Sequence, residues 1–339
     1  MSVGVQESVA ARRMTAVVPA LLVGIVLLMI VPLPAFLLDG FLAASIALSI
    51  ALLLVSIHLE KPLDLSSFPT ILLFSTLLRL ALNVASTRLI LLHGGNGTEA
   101  AGQIIQAFGE FMIGGNYVVG MAVFVLLVII NFVVITKGAG RVAEVSARFT
   151  LDSLPGKQMS IDSDLASGAI NQEEAKQRRK MVEQEADFFG AMDGASKFVR
   201  GDAIAGLLMT GINILVGFVV GVVQQDMSAA DSAATYTILT VGDGLASQIP
   251  ALLVSTAAGV VVTRAAAGAA IAPALVRQIG GQRKALYATG TLMAAIGLIP
   301  GMPVIPFFGL AALLAWSARE GIKPEPKGEG KEAAAEKPR

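Results

Sequence analysis

The chain has 339 residues, 55% of them hydrophobic and 15% charged, with a mean hydropathy of +0.73 and a formal net charge of zero. A soluble domain carries about 25% charged residues, so this much apolar surface points to a bundle whose helices face acyl chains, and the neutral balance leaves no nucleic-acid footprint on the whole chain. The absence of Cys and the presence of only two His, His58 and His93, exclude a disulfide framework and a Cys/His zinc site.

Crossing a bilayer core takes about 20 helical residues. Eight apolar runs qualify, roughly 15–35, 40–58, 67–92, 114–136, 202–224, 239–263, 284–300 and 303–318. The first follows Arg12-Arg13 and has no small-residue cleavage site after it, so it reads as a retained anchor. The last two are short and joined by Pro300-Gly301-Met302-Pro303, which suits a tight hairpin or a re-entrant pair. Of the 25 basic residues, 23 fall in the N-terminus, at Lys61, in 137–201, in 264–284 and in the tail from Arg319, all on one side of this map. The opposite loops (36–39, 93–113, 225–238 and 301–302) contain none, so both termini are expected to be cytoplasmic. The expected fold is therefore an all-α membrane protein of about eight spans; a six-span map also keeps both ends inside.

The expected organisation is a cytoplasmic N-terminus (1–14), spans one to four (15–136), a small helical cytoplasmic insert (137–201), spans five to eight (202–318) and a charged linker (319–339). Within the insert, Leu154-Pro155-Gly156 reads as a turn, and Asn171 with Glu174 three residues on reads as a helix start. Residues 323–339 are mostly Pro, Gly, Glu and Lys, with three Ala and no larger apolar side chain, a linker composition.

Ionisable residues inside spans are costly and are functional candidates. Arg79 lies mid-span with Asn83 about 40° and Ser86 about 20° from it around a helix, one polar stripe. Arg88 lies about 180° away, with snorkelling as its alternative. Asp202 opens the fifth expected span and Asp243 the sixth. Asp243 has Thr240 and Ser247 on its face, Gly242 and Gly244 beside it, and Pro250 further on, where it frees the carbonyl of Ala246. A carboxylate beside small residues in an interrupted helix suits an ion site; the alternative for both aspartates is helix capping, which is also the reading for Asp39. No phosphate-cradling loop and no nucleophile–base set occurs, so the chain is not expected to be an enzyme or to hydrolyse ATP.

Four stretches carry a resemblance: Asp64–Leu91, Val134–Asp162, Glu185–Gly206 (EADFFGAMDGASKFVRGDAIAG) and VGDGLASQIPALLVSTAAGVVVTR from Val241. They resemble, in order over about residues 15–265, the FHIPEP (FlhA/SctV) family of type III export gates. Gly140 in KGAGR resembles the flagellar branch; the injectisome branch more often has Glu there. The resemblance implies a homo-nonameric ring in the bacterial inner membrane beneath the basal body. It implies other export gate membrane proteins, the basal-body ring and the export ATPase stalk as partners, and a cytosolic C-terminal domain, beyond this chain, that docks chaperone–substrate complexes. No cofactor is implied; the coupling ion is H+ or Na+. By motif, the family's charged positions fall on Arg79, Arg88, Asp193, Lys197, Asp202 and Asp243, and in the insert on Arg141, Arg148 and Asp152. Asp193 and Lys197 come from the resemblance alone; by composition they look like ordinary loop charges.

The expected mechanism is that Asp202 and Asp243 take up and release the ion, with Arg79, Arg88 or Lys197 pairing in one state only. The rivals are a monomeric solute transporter, for which no inverted repeat is visible, and a ring scaffold without ion flux.

Overall fold

The computed structural model describes residues 9–59, 61–267, 282–299 and 303–320. The N-terminal residues 1–8, most of the basic 264–284 loop, the Pro300-Gly301-Met302 part of the expected hairpin turn and the linker from 321 onward lie outside the described residues. Every described element is a helix: α1 Val9–Ile30, α2 Ala35–His58, α3 Phe68–His93, α4 Gln103–Ile113, α5 Tyr117–Ile130, α6 Lys137–Ala166, α7 Gln172–Gln224, α8 Ala229–Ala267, α9 Arg283–Gly297 and α10 Val304–Glu320, with short 3-10 turns at Pro62–Leu65 and Gly94–Asn96. The chain divides into two units, Met1–Ala266 and Ala267–Arg339. Within the second, α9 packs closely on α10: a Cβ at Gly290 would stand 3.3 Å from the Ala311 carbonyl oxygen.

Local chemistry sets the breaks. Pro34 ends one segment and Ala35 begins α2; Pro69 sits in the first turn of α3, where its fixed φ suits a helix start. Gly114 takes the left-handed conformation that closes α4, Gly115 follows at φ +83°, and the Asn116 side chain accepts from the amides of Val118 and Val119 at 3.1 and 3.2 Å to open α5. That Gly-Gly-Asn turn bends the pair by 106°. Asn171 accepts from the Glu174 amide at 2.8 Å and starts α7, the helix start expected there.

Four described helices are long and apolar enough to cross a membrane, at Ala35–His58, Phe68–Asn96, Gln172–Gln224 and Ala229–Thr263, and the bent α4–α5 pair makes a fifth if it counts as one span. The first and eighth expected spans contribute shorter apolar stretches, Pro19–Ile30 and Val304–Arg319. The fourth was expected to begin at 114, with 93–113 as loop; α4 occupies much of that loop and buries Ile105, Gly109 and Ile113.

Two sequence readings are corrected. Leu154-Pro155-Gly156 makes no turn: α6 runs through it, and Pro155 removes only its own amide from the helix. Nor is a helix start found at Asp202, where the fifth span was expected to open, because α7 continues for 53 residues across the 201/202 boundary. The insert is thus an antiparallel hairpin of α6 on the first half of α7. Its tip is closed by Ile161, Ile170 and Ala175, and its base by Phe188, Phe189 and Met192 against Phe68 and Leu72 of α3.

Candidate functional site

The third, fifth and sixth expected spans meet face to face. Arg79 meets Asp202, Asn83 lies beside Gly206, and Gly94 and Gly217 both pack on Tyr236, so α3 and α7 run parallel. Asn213 meets Asp243 and Gly221 meets Ser232, so α8 runs back along α7. Small residues allow the approach: the space beside Gly242 is filled by the Ile105 carbonyl of α4, and that beside Gly244 by the Phe124 ring of α5.

The centre of this assembly is a buried ion pair. Arg79 Nε donates to Asp202 Oδ2 at 2.7 Å, and Nη2 lies 2.5 Å from the same oxygen, with the two side chains 3% and 4% exposed. Taking both charges out of water costs several kcal/mol per ion, recovered only by close pairing and further hydrogen bonds. Those further bonds are incomplete. Nη1 of Arg79 and Oδ1 of Asp202 are buried without a hydrogen-bond partner among the described residues. The pair instead opens on a cavity of about 40 Å³, lined also by Asn83, Asn131, Thr210, Ser247 and Gln248. That is room for about three or four water molecules at about 10–15 Å³ each.

Asn131 begins a π-helical segment, Asn131–Thr136, between α5 and α6 and donates through Nδ2 to the Gln248 carbonyl at 3.4 Å. π-Turns insert an extra residue and commonly mark functional positions. Two residues on in α8 is Pro250; α8 runs through it unbroken, so the helix interruption expected beyond Asp243 does not occur.

Asp243 forms a second buried polar point. Asn213 Nδ2 donates to its Oδ2 at 3.1 Å, and Asn213 is fully buried with its Oδ1 unpartnered among the described residues. Neither aspartate is a cap: Asp202 lies thirty residues into α7 and Asp243 fourteen into α8, where backbone amides are already bonded within the helix. Asp39 does cap, but not its own helix. Its carboxylate accepts from the amides of Gln103 and Ile104 at 2.9 and 3.0 Å, at the start of α4. Gly102 before them holds φ +106°, and a Cβ there would stand 2.5 Å from the Asp39 carboxylate.

The other expected site residues are placed elsewhere. Arg88 donates to the carbonyls of Ile30 and Met29 at 2.8 and 3.2 Å, binding the last turn of α1. Lys197 donates to Asp193 one turn earlier at 2.6 Å, on an exposed face of α7. Arg141 pairs with Glu144 at 3.7 Å and Arg148 with Asp152 at 3.8 Å, all solvated on α6. Gly140 leaves room for a guanidinium: a Cβ there would lie 3.1 Å from Arg200 Nη2. Sequence reasoning missed Asn213, Asn131 and Thr210. For Asn213 the signal was present, since eleven residues from Asp202 is about 20° around the helix. Among the described residues no group of three or more His, Asp or Glu side chains gathers to hold a metal.

A description of the FHIPEP family matches residues 25–339. This chain belongs to the FHIPEP family. Among its relatives, the flagellar biosynthesis protein FlhA of Proteus mirabilis is 56% identical over 297 residues, covering 88% of this chain and 43% of that protein. The protein of the same name from Caulobacter vibrioides is 56% identical over 85% of this chain and 41% of its own length, and that from Salmonella typhimurium 54% identical over 91% and 45%. The chain thus spans less than half the length of these relatives. No solved structure matches. With four or five helices of spanning length, this FHIPEP chain is a membrane protein.

Proposed function

We propose that this chain is the membrane-embedded part of a flagellar type III export gate in the bacterial inner membrane, and that the Arg79–Asp202 pair is where the coupling ion, H+ or Na+, is taken up and released. The family and its flagellar relatives support the setting. The observation that carries the ion reading is a buried ion pair with unpartnered polar atoms, whose two residues help line a small cavity together with Asn83, Asn131, Thr210, Ser247 and Gln248. An ion arriving at the carboxylate cancels its charge and releases Arg79. Loss of a pair in low dielectric is worth several kcal/mol, enough to bias a two-state bundle. Asp243, held by Asn213, is the second stop on the same path. Arg88 and Asp39 brace helix ends around it, and the α6–α7 hairpin passes the change to neighbouring copies in a nonameric ring or to the export ATPase stalk. Substrate–chaperone complexes dock on the cytosolic domain that follows in the longer relatives.

The test is pH-gradient-driven proton and sodium flux in liposomes holding the full-length protein. Asp202→Asn and Asp243→Asn are expected to abolish flux with the oligomer intact by native mass. Flux equal to wild type in Asp202→Asn would overturn the ion reading and leave a ring scaffold.

A further inference from the structure

The buried polar groups of α3, α7 and α8 form a row that stops short of the helix ends. It starts at Arg79–Asp202, passes Asn83 and Thr210, and reaches Asn213–Asp243. On α7 this covers eleven residues, about 16 Å at 1.5 Å each. Beside this row and beyond it runs an apolar cluster that includes Leu82, Ala85, Leu89, Ile90 and Leu239 and also holds Tyr236. Tyr236 is 1% exposed and heads the fully buried side chains by volume.

Its ring lies in a notch cut by three glycines on two segments. A Cβ at Gly94 would stand 2.8 Å from the ring and one at Gly221 2.7 Å from it, while one at Gly217 would overlap it. The hydroxyl donates to Gln225 Oε1 at 3.3 Å, and Gln225 Nε2 donates to the Leu92 carbonyl at 3.4 Å. The tyrosine of α8 is therefore latched to the ends of both α3 and α7, across the line of the polar row.

We infer that Tyr236 is the barrier residue of the ion path, sealing the polar row at its Gln225 end. This rests on the ion reading above, but its test reads access rather than flux. The chain has no cysteine, so single thiols report cleanly. Thr240 is one turn from Tyr236 towards Asp243, fully buried, with its hydroxyl unpartnered among the described residues. Full-length protein carrying Thr240→Cys, in sealed membrane vesicles, is treated with a charged, impermeant methanethiosulfonate from each face in turn. Ala230→Cys, at an exposed position, marks the face to which the Gln225 end belongs. Labelling of Thr240→Cys from that face is expected to be slow with Tyr236, to stay slow with Tyr236→Phe, and to rise at least ten-fold with Tyr236→Ala. If Tyr236→Ala does not insert, Tyr236→Val makes the same comparison. Rapid labelling from that face with Tyr236 in place, or no rise when the ring is removed, overturns the assignment. Unchanged flux in Asp202→Asn would refute the ion reading while leaving the labelling result intact, so the two failures are distinguishable.

Discussion

The buried bundle and the solvated hairpin use charge in opposite ways. Among the described residues the bundle holds one ion pair, Arg79–Asp202, almost fully enclosed, while the α6–α7 hairpin carries several, from Arg141–Glu144 to Lys197–Asp193, all partly or largely exposed. Exposed pairs are screened by water and salt and contribute little. The enclosed pair has no such screen, so each partner is destabilising without the other. Charge in the hairpin therefore keeps a helical pair soluble, whereas charge in the bundle can serve as a switch.

The sharpest way to break this contrast is to remove one enclosed partner. Asp202→Ala is expected to cost about 3–5 kcal/mol by stranding Arg79, read from thermal unfolding in detergent. The double variant Arg79→Met/Asp202→Leu should regain most of that stability without regaining flux; if it regains flux, the pair is only structural. Asn213→Leu comes next, at about 1–3 kcal/mol, because Asp243 loses one of its buried donors; the same unfolding experiment checks it. Asp39→Ala should cost about 0.5–2 kcal/mol through the lost cap of α4, with Asp39→Asn keeping most of it. Faster amide exchange at Gln103 and Ile104 is the specific readout. At the small end, Arg148→Ala should change stability by less than about 0.5 kcal/mol, and a larger loss would mean that the hairpin's surface charges are not merely solvated.

The partners of the enclosed site were legible to different degrees. Arg79 and Asp202 stand out in sequence because a charge in an apolar run has few inexpensive explanations. Capping nevertheless competes as a reading of Asp202 in sequence, because hydropathy changes at 201/202 as it would at a helix boundary. Hydropathy marks where lipid begins; the hydrogen bonds of α7 continue regardless of it. Pro155 misled in the same manner, since one missing amide does not end a helix held against α7 by packing. The Asp39 contact was half visible: its capping chemistry follows from residue type, but its target lies more than sixty residues away, and no local spacing encodes that. The pairing of Arg88 with α1 carbonyls was invisible for the same reason.

The unbroken length of α7 has a mechanical meaning. At 1.5 Å per residue its 53 residues make a rod of about 80 Å, and the Asp202 side chain is fixed to it about 45 Å from its capped end at Asn171. A helix without a hinge transmits torque. Whatever grips the hairpin and rolls this shaft about its axis swings the carboxylate through the same angle, towards or away from the guanidinium on the stationary neighbour, so a twist applied at the hairpin reaches the buried ion pair.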